Sequence, residues 1–474
     1  MVVGSIREKT QVAVIGAGPG GYVAALRAAD LGKEVALVEL RERPGGVCLI
    51  EGCIPSKTLI HAVEVAEAAR EAAAFGVKFT GVSIDPAALR KHTASVVDGL
   101  TGGVRALLKA RGVEIVHGRA SFVGPNSIKI SGDENSSPEV SAIDFDQCVI
   151  ATGSRPVVPT FAEGLTVWQA ADALAIPKVP KTLLVVGGGY IGLELGFVYA
   201  GLGSKVTVVE LTPNLLPGTE ADLARVVAKS AQKTFESVLL ASRVVALKKT
   251  RTGFSADIET NGKTTSRAFE QVFIAVGRRP NTEGLGLEAA GVALDERGLI
   301  AIDECCRTSA PHIFAIGDVT PGPMLAHKAS RQGKVAAEVI AGLPSAYDNR
   351  AVPAVVYTNP EIATAGLTEA EAKSGGREIA VGRFPLTALG RARTMGAAEG
   401  FAKIIADKSS GLILGAGIVG PHASELIAEV ALAIEMGATL EDLMATIHPH
   451  PTLSEAVMEA AEVAAGAPIH ISRK

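Results

Sequence analysis

Runs of four or five apolar residues, each followed by a glycine-rich turn and a segment of helical period, recur along the chain. They predict buried parallel strands alternating with helices. The first run, Val12-Ala13-Val14-Ile15, meets Gly16-Ala17-Gly18-Pro19-Gly20-Gly21, then a helix to Leu31-Gly32, then a strand over 35–39 that ends at Glu39. A second copy begins at Leu183-Leu184-Val185-Val186, turns at Gly187-Gly188-Gly189-Tyr190-Ile191-Gly192, runs a helix to Leu202-Gly203 and closes with a strand over 206–210 that ends at Glu210. In both copies the first glycine precedes the inter-element glycine by 16 residues and the terminal glutamate by 23. A smaller repeat follows each: Gln147-Cys148-Val149-Ile150-Ala151-Thr152-Gly153-Ser154-Arg155-Pro156 matches Gln271-Val272-Phe273-Ile274-Ala275-Val276-Gly277-Arg278-Arg279-Pro280. It predicts a buried strand ending in a glycine turn near a ligand.

The glycines carry chemistry as well as shape. Gly16 and Gly187 make the tight turn, Gly18 and Gly189 let backbone approach a pyrophosphate, and Gly21 and Gly192 let helix pack on strand. The helix N-terminus stabilises the phosphate charge, and Glu39 and Glu210 are placed to accept hydrogen bonds from a ribose diol. One such motif is weak evidence. Two, each set between strand and helix and ending in an acid at the same offset, point to two dinucleotide sites. Glu210 repels a 2′-phosphate and no arginine or lysine follows in 211–216, so the second site is expected to take NAD(H) over NADP(H). A further strand over 312–316 ends in Gly317-Asp318, where the aspartate either meets a ribose or pyrophosphate-linked water or caps a turn.

This gives an α/β layout. Residues 1–150 and 151–279 form the two dinucleotide units, 280–350 return Asp318 to the first, and 351–474 form a separate α+β domain. A length of 474 residues suits about three domains. A net charge of −4 and a pI near 6.2 argue against nucleic acid or an anionic membrane as partner. No run of 18 uncharged apolar residues occurs, and residues 1–10 are polar and charged without a signal-peptide core, so a cytoplasmic enzyme is expected.

Five cysteines are too few for a disulfide scaffold. Two of them, Cys48 and Cys53, lie in Gly45-Gly46-Val47-Cys48-Leu49-Ile50-Glu51-Gly52-Cys53-Ile54-Pro55-Ser56-Lys57. A close pair in a reducing compartment is catalytic, redox-sensing or metal-bound, or simply two small core residues. Zinc wants three or four protein ligands, and no second pair of that spacing follows. On an ideal helix, positions i and i+5 are roughly 8–9 Å apart, whereas a bridge needs about 7 Å or less. A bridged pair therefore requires bent backbone, which Gly52 and Pro55 permit. The apolar-periodic run 58–74 with Pro55 in its first turn puts Cys53 at a helix N-terminus, where the dipole favours thiolate. Cys148, Cys305 and Cys306 read as structural.

A flavin exchanges electrons with thiolates and hydride with nicotinamide. Two dinucleotide sites and a dithiol therefore suggest a relay with FAD in the first site and NAD in the second. Lys57 lies one turn past Cys53. Glu194 lies on the second-site helix, near the phosphates, and calls for a cation; Lys57 is the candidate. In His448-Pro449-His450-Pro451-Thr452-Leu453-Ser454-Glu455, two prolines hold His450 non-helical, and histidine suits deprotonation of a thiol. Glu455 is placed to orient it, while Thr452 and Glu455 also fit a capping box. His448 reads as a packing or capping residue.

Taken together, the 45–57 segment, both glycine motifs, Ala151-Thr152-Gly153, Gly317-Asp318 and the 448–455 segment resemble the pyridine nucleotide-disulfide oxidoreductases over essentially the whole chain. Within that family the dihydrolipoyl dehydrogenase branch is most similar, and Met324-Leu325-Ala326-His327-Lys328-Ala329 looks like it too. The resemblance implies two Rossmann-like dinucleotide-binding domains and a C-terminal dimerisation domain. It implies FAD, NAD and oxidation of protein-bound dihydrolipoamide by NAD⁺. Cys48 would be the interchange thiol, Cys53 the flavin-side thiolate, and Lys57 and Glu194 a pair beside the flavin. His450, held by Glu455, would be the acid/base working across a homodimer interface. Glu39, Gly118, Asp318 and Ala326 would contact FAD, and Glu210 and Gly277 would contact NAD, beside the turns of Thr152, Gly153 and Ile191. The lipoyl arm would come from an acyltransferase or carrier protein of a 2-oxo acid dehydrogenase-type complex, no lipoyl domain being present.

Relatives differ at telling positions. Glutathione-reductase-like members carry a lysine where this chain has Ser56, and mercuric-reductase-like members end in vicinal cysteines where this chain ends His470-Ile471-Ser472-Arg473-Lys474. Val47, Ile50 and Glu51 depart from the usual residues, and Glu51 is expected to shift the disulfide potential. The rival readings are another disulfide or metal-ion reductase, or a non-catalytic flavoprotein subunit, which the presence of Cys48, Cys53, Lys57 and His450 argues against.

Overall fold

The computed structural model describes residues 7–132 and 140–472; Arg473 and Lys474 lie outside them. The first apolar run forms β1 (Arg7–Ile15). It starts ahead of the apolar run that begins at Val12, because Arg7 and Lys9 pair with Asp144 and Asp146 on the adjacent strand. The chain continues through α1 (Pro19–Asp30), β2 (Val35–Glu39), α2 (Gly46–Glu51), α3 (Cys53–Glu71) and α4 (Pro86–Ala110). It then forms β3 (Glu114–His117), β4 (Arg119–Gly124), β5 (Ser127–Ser131) and β6 (Ala142–Ile150). The sheet order is β3-β2-β1-β6-β5-β4. β1, β2 and β3 run parallel, and β6 joins β1 in parallel. Val12, Ala13, Val14 and Leu37 are buried on both faces of this sheet, as a parallel sheet covered by helices requires.

The second unit runs β7 (Ser154–Pro156), α5 (Ala170–Leu174), β8 (Thr182–Val186), α6 (Tyr190–Gly201), β9 (Lys205–Val209), α7 (Ala221–Thr234) and β10 (Ser237–Leu239). A meander of β11 (Ser242–Lys249), β12 (Phe254–Thr260) and β13 (Lys263–Phe269) leads to β14 (Gln271–Ile274) and β15 (Arg278–Pro280). The strands β10-β9-β8-β14 form one parallel sheet. The two halves of the smaller repeat pair with each other: β7 and β15 run antiparallel, Arg155 opposite Arg279. α6 is buried without interruption from Gly192 to Tyr199, lying between its own sheet and α3. Leu59 and Val63 of α3 share one core with Leu193 and Phe197 of α6. A Cβ on Gly201 would lie 2.2 Å from Val63, so the two helices touch without intervening side chain.

The chain then returns to the first sheet. β16 (Ile313–Ala315) adds in parallel to the end of β6, and α8 (Ala326–Ile340) packs on α1, with Gly333 against Gly20. The C-terminal unit contains β17 (Ala354–Val356), β18 (Glu361–Gly366), α9 (Glu369–Ser374), β19 (Ile379–Pro385), α10 (Gly390–Thr394), β20 (Phe401–Asp407) and β21 (Ile413–Gly420). These are followed by α11 (Ala423–Met436), α12 (Leu440–Ala445) and α13 (Glu455–Ala464). Its sheet is antiparallel, β17-β18-β21-β20-β19, and has its own core. The chain is thus α/β: two Rossmann-like units and a C-terminal α+β unit, as the sequence pattern predicted. By length and mean hydropathy (1.2) the helical run 46–75 is long enough to cross a membrane. It is broken at Gly52, and Leu59, Val63 and Ala66 are buried in the protein.

A buried ion cluster joins the second unit to the third. Lys403 on β20 has a fully buried side chain and meets Glu220 at 3.0 Å, Asp222 at 2.9 Å and Glu369 at 3.3 Å. Arg383 also bonds Asp222 and Glu369. Removing one partner of a buried ion cluster leaves uncompensated charge. Lys403→Met is therefore expected to lower unfolding free energy by about 3–5 kcal/mol, read as a lower urea midpoint. An unchanged midpoint would show the cluster to be energetically neutral.

Candidate active site

A cavity of about 760 Å³ lies where the first glycine turn, α2, α3, the β7–β15 pair and the N-termini of α6 and α8 converge. Its floor is built by close backbone packing. A Cβ on Gly16 would sit 2.4 Å from the Ala151 carbonyl, and one on Gly21 would sit 1.8 Å from the Gly16 carbonyl. Gly18, by contrast, has nothing within 4 Å of its Cβ position and faces the cavity. It precedes α1, whose first turn carries no acid. That open helix N-terminus suits a pyrophosphate. Glu39 is buried, and its carboxylate accepts from the main-chain N–H groups of Ala17 at 2.7 Å and Arg41 at 2.9 Å. Each oxygen keeps acceptor capacity for a diol. Gly118, Thr152, Gly153, Asp318 and Ala326 also line the cavity.

The dithiol opens on the same cavity. The spacing of the pair predicts bent backbone ahead of a helix. The structure instead folds Gly46–Glu51 as a separate short helix, α2, broken from α3 at Gly52. Gly52 has φ −143° and ψ −113°, and its Cβ position is 2.7 Å from the Val47 carbonyl. The break brings both sulfurs together at the N-terminus of α3. Both cysteines are free. The Cys48 thiol donates to the Cys53 sulfur, which, helped by the Lys57 ammonium, lowers the Cys53 thiol to about 7. The same bond, with burial, pushes the Cys48 thiol up. The pair therefore favours the proton on Cys48 and the thiolate on Cys53.

Lys57 Nζ lies 2.9 Å from Glu194 Oε2. The Glu194 side chain is only 4% exposed, and its other oxygen accepts from the Tyr357 main-chain N–H at 2.9 Å. Lys57 Nζ also sits 4.4 Å from the centre of the Tyr357 ring. A second network reaches Asp318. Its Oδ2 accepts from Ser154 Oγ at 2.6 Å, and that hydroxyl accepts from Arg278 at 2.8 Å. Behind Asp318, Lys328 is buried and donates to Gly317 O and Thr320 Oγ1, while Gln332 accepts from the Gly317 N–H. Glu51 accepts from Arg41, and both face the cavity. No sequence signal marked Tyr357 or Arg41. Arg278 and Ser154 adjoin glycines that the repeat singled out, whereas Tyr357 has no motif at all.

The second glycine unit reproduces the first contact by contact. A Cβ on Gly187 would meet the Ala275 carbonyl at 2.3 Å, and one on Gly192 the Gly187 carbonyl at 2.1 Å, while Gly189 and Gly277 are open. Glu210 accepts from the N–H groups of Gly188 at 2.6 Å and Thr212 at 2.8 Å. Ile191 faces the first cavity, whereas Gly187, Gly189 and Glu210 do not line it. This unit therefore offers a separate cradle beyond α6.

His450 is not among the cavity residues. Its side chain is 76% exposed, and its Nδ1 meets Glu455 Oε1 at 2.8 Å. Glu455 Oε2 accepts from the Thr452 N–H. The capping box is only half formed: Thr452 Oγ1 donates to the Pro449 carbonyl, and the helix begins at Glu455. His448 is buried against Glu429 at 2.7 Å. Cys148 is buried. Cys306 is buried with φ +62°, its thiol pushed up to about 12 by burial.

The thiol geometry yields a pH prediction. Cys53 is anionic above about pH 7, where an ordinary thiol stays protonated up to about 8.5. Iodoacetamide labelling of the Cys53 peptide in the reduced protein should reach half its plateau rate near pH 7. A midpoint near 8.5 would contradict the assignment.

Comparison with known proteins agrees with this arrangement. Residues 10–333 match the pyridine nucleotide-disulphide oxidoreductase family, and residues 352–461 match the dimerisation domain of that family. The dihydrolipoyl dehydrogenase of Geobacillus stearothermophilus is 48% identical over 475 residues, covering 100% of both chains. That of Haloferax volcanii is 50% identical, covering 99% of each. Among solved structures, LpdA from Mycobacterium tuberculosis aligns with a TM-score of 0.87 at 29% identity, covering 96% of this chain and 99% of that one. The HOCl-induced flavoprotein disulfide reductase RclA from Escherichia coli aligns at 0.83 and 27%, with the same coverage. With two glycine cradles, a dithiol at a helix N-terminus and matches across both its nucleotide and its dimerisation regions, this chain belongs to the pyridine nucleotide-disulphide oxidoreductase family.

Proposed function

We propose that this chain oxidises protein-bound dihydrolipoamide to lipoamide with NAD⁺ as acceptor, through FAD and a Cys48–Cys53 redox disulfide. The observation that carries this reading is one cavity shared by the first glycine cradle, both thiols and the Lys57–Glu194 pair. Near-50% identity to dihydrolipoyl dehydrogenases along the full chain supports the substrate. In this reading residues 1–150 bind FAD, with Gly16, Gly18 and Gly21 at its pyrophosphate and Glu39 at its ribose. Asp318 and Ala326, returned by 280–350, and Gly118, Thr152 and Gly153 complete that site. Residues 151–279 bind NAD through Gly187, Gly189, Ile191, Gly192, Glu210 and Gly277, and residues 351–474 form the dimer interface. Bound FAD supplies a centre that takes an electron pair from a dithiol and gives hydride to nicotinamide.

The protein's own steps follow from the thiol asymmetry. A substrate thiol gives its proton to His450, whose Nε2 carries the acceptor lone pair when Nδ1–H donates to Glu455. The thiolate attacks Cys48 of the disulfide, the S–S bond breaks, and Cys53 leaves as thiolate. Attack takes this direction because the more acidic thiol is the better leaving group, and Cys53 is the more acidic of the two. The second substrate thiol then displaces Cys48, its proton passing to the Cys48 sulfur, which closes lipoamide and leaves the protein dithiol reduced by two electrons with a thiol on Cys48 and a thiolate on Cys53. His450 is exposed and outside the cavity of its own chain, so a second copy supplies it. The lipoyl arm comes from an acyltransferase or carrier protein of a 2-oxo acid dehydrogenase-type complex, and the enzyme works in the cytoplasm.

Purified, flavin-loaded protein should reduce NAD⁺ with free dihydrolipoamide and reduce NADP⁺ at least tenfold more slowly, since a carboxylate at 210 disfavours the extra phosphate. Cys48→Ser should abolish this turnover and keep NADH oxidation by an artificial acceptor. Full dihydrolipoamide activity in that variant would sink the mechanism. Wild-type protein that oxidises NADH yet ignores dihydrolipoamide would move the substrate to another disulfide.

A further inference from the structure

Lys57 is the cation that favours the Cys53 thiolate, yet its nearest charged partner is a carboxylate that opposes it. Glu194, at 2.9 Å from the ammonium, raises the same thiol. A simple pair would cancel much of the field at Cys53. Two contacts from a single residue of the C-terminal unit offset this. Tyr357 directly follows β17 and donates its main-chain N–H to the free oxygen of Glu194 at 2.9 Å. Its ring face lies 4.4 Å from Lys57 Nζ. The N–H draws the carboxylate charge away from the ammonium, and the ring's negative face gives the ammonium a second anchor that carries no net charge.

We propose that Tyr357 is a positioning residue for the thiol site: its ring and main-chain N–H together hold the Lys57–Glu194 pair in place beside Cys53, the ring anchoring the ammonium and the N–H sharing the carboxylate charge. The proposal rests on the reading of Cys53 as the standing thiolate. It also makes the C-terminal unit a contributor to thiol reactivity within its own chain, separate from the histidine it lends to a second copy. The groups facing Cys53 are Cys48 from α2, Lys57 from its own helix, Glu194 and Tyr190 from α6, and Tyr357. Of these, Tyr357 alone acts on Lys57 and Glu194 at once.

The test is labelling of Cys53 by iodoacetamide against pH, followed by peptide mass spectrometry on the reduced holoenzyme. Variants Y357F, Y357L and Y357M are compared with K57M, which sets the effect of losing the ammonium altogether. Phenylalanine keeps the ring face and the N–H, so Y357F should overlay the wild-type profile. Y357L and Y357M lose the ring, and each should label Cys53 about threefold more slowly at pH 6.5, with the midpoint moved towards that of K57M. Leucine and methionine differ in volume, so agreement between them separates the ring from local packing. Profiles of Y357L and Y357M that superpose on wild type, or a shift in Y357F as large as theirs, would overturn the role of Tyr357. An ordinary midpoint in the wild type would instead overturn the thiolate reading beneath it.

Discussion

The contact of α3 with α6 is the constraint on which the site depends. Glu194 lies on a helix that is buried all round, and a carboxylate there is costly unless it is paired and hydrogen-bonded. Lys57 reaches it across a close helix contact, in which Val63 packs directly on Gly201, a residue with no side chain to hold the helices apart. Every feature of the thiol site follows from that seat. The helix that answers Glu194 with Lys57 also presents Cys53 at its N-terminus, and its packing fixes how far the dithiol stands from the second nucleotide unit. The C-terminal unit then closes the arrangement through Tyr357, so three parts of the chain meet at one ion pair.

Chemical direction comes from an asymmetry between two identical side chains. Cys48, on a short helix of its own, keeps the proton, while Cys53 sits between a helix N-terminus and an ammonium and gives it up. Thiol–disulfide exchange runs towards release of the more acidic thiol. On the proposed mechanism, the fold therefore decides which sulfur meets the substrate before any substrate arrives. Glu51 lies between the cysteines in sequence and accepts from Arg41, and both residues line the cavity.

Much of the fold was legible because two strict periods overlapped in the sequence. A buried strand, a glycine turn and a terminal acid recur at fixed spacing, and β2 falls on 35–39 as the pattern placed it. Local chemistry was legible where neighbours in sequence are neighbours in space, as with His450 and Glu455. Long-range partners were not. Tyr357 is 163 residues from Glu194, in a segment with no motif, and nothing in an apolar-aromatic stretch distinguishes a cation-facing ring from a core ring. The pairing of β7 with β15 was hidden for a similar reason: each half of the repeat reads alone as a turn, and only the fold lays them side by side. α2 was missed because Gly45, Gly46 and Gly52 bracket it and read as loop, though the intervening residues still complete a helical turn. The start of β1 was hidden too, since charged residues ahead of Val12 mask a strand whose outer positions are answered by acids on its neighbour.

The central claim is that Cys48 exchanges with substrate and Cys53 is the leaving thiolate. The most direct measurement takes reduced Cys53→Ser protein, adds lipoamide, quenches with N-ethylmaleimide to cap the freed lipoyl thiol, and maps the adduct by peptide mass. The account predicts a lipoyl mixed disulfide on the Cys48 peptide, with no adduct in Cys48→Ser protein treated alike. An adduct on Cys53 in the Cys48→Ser protein, or none on Cys48 in the Cys53→Ser protein, would contradict it.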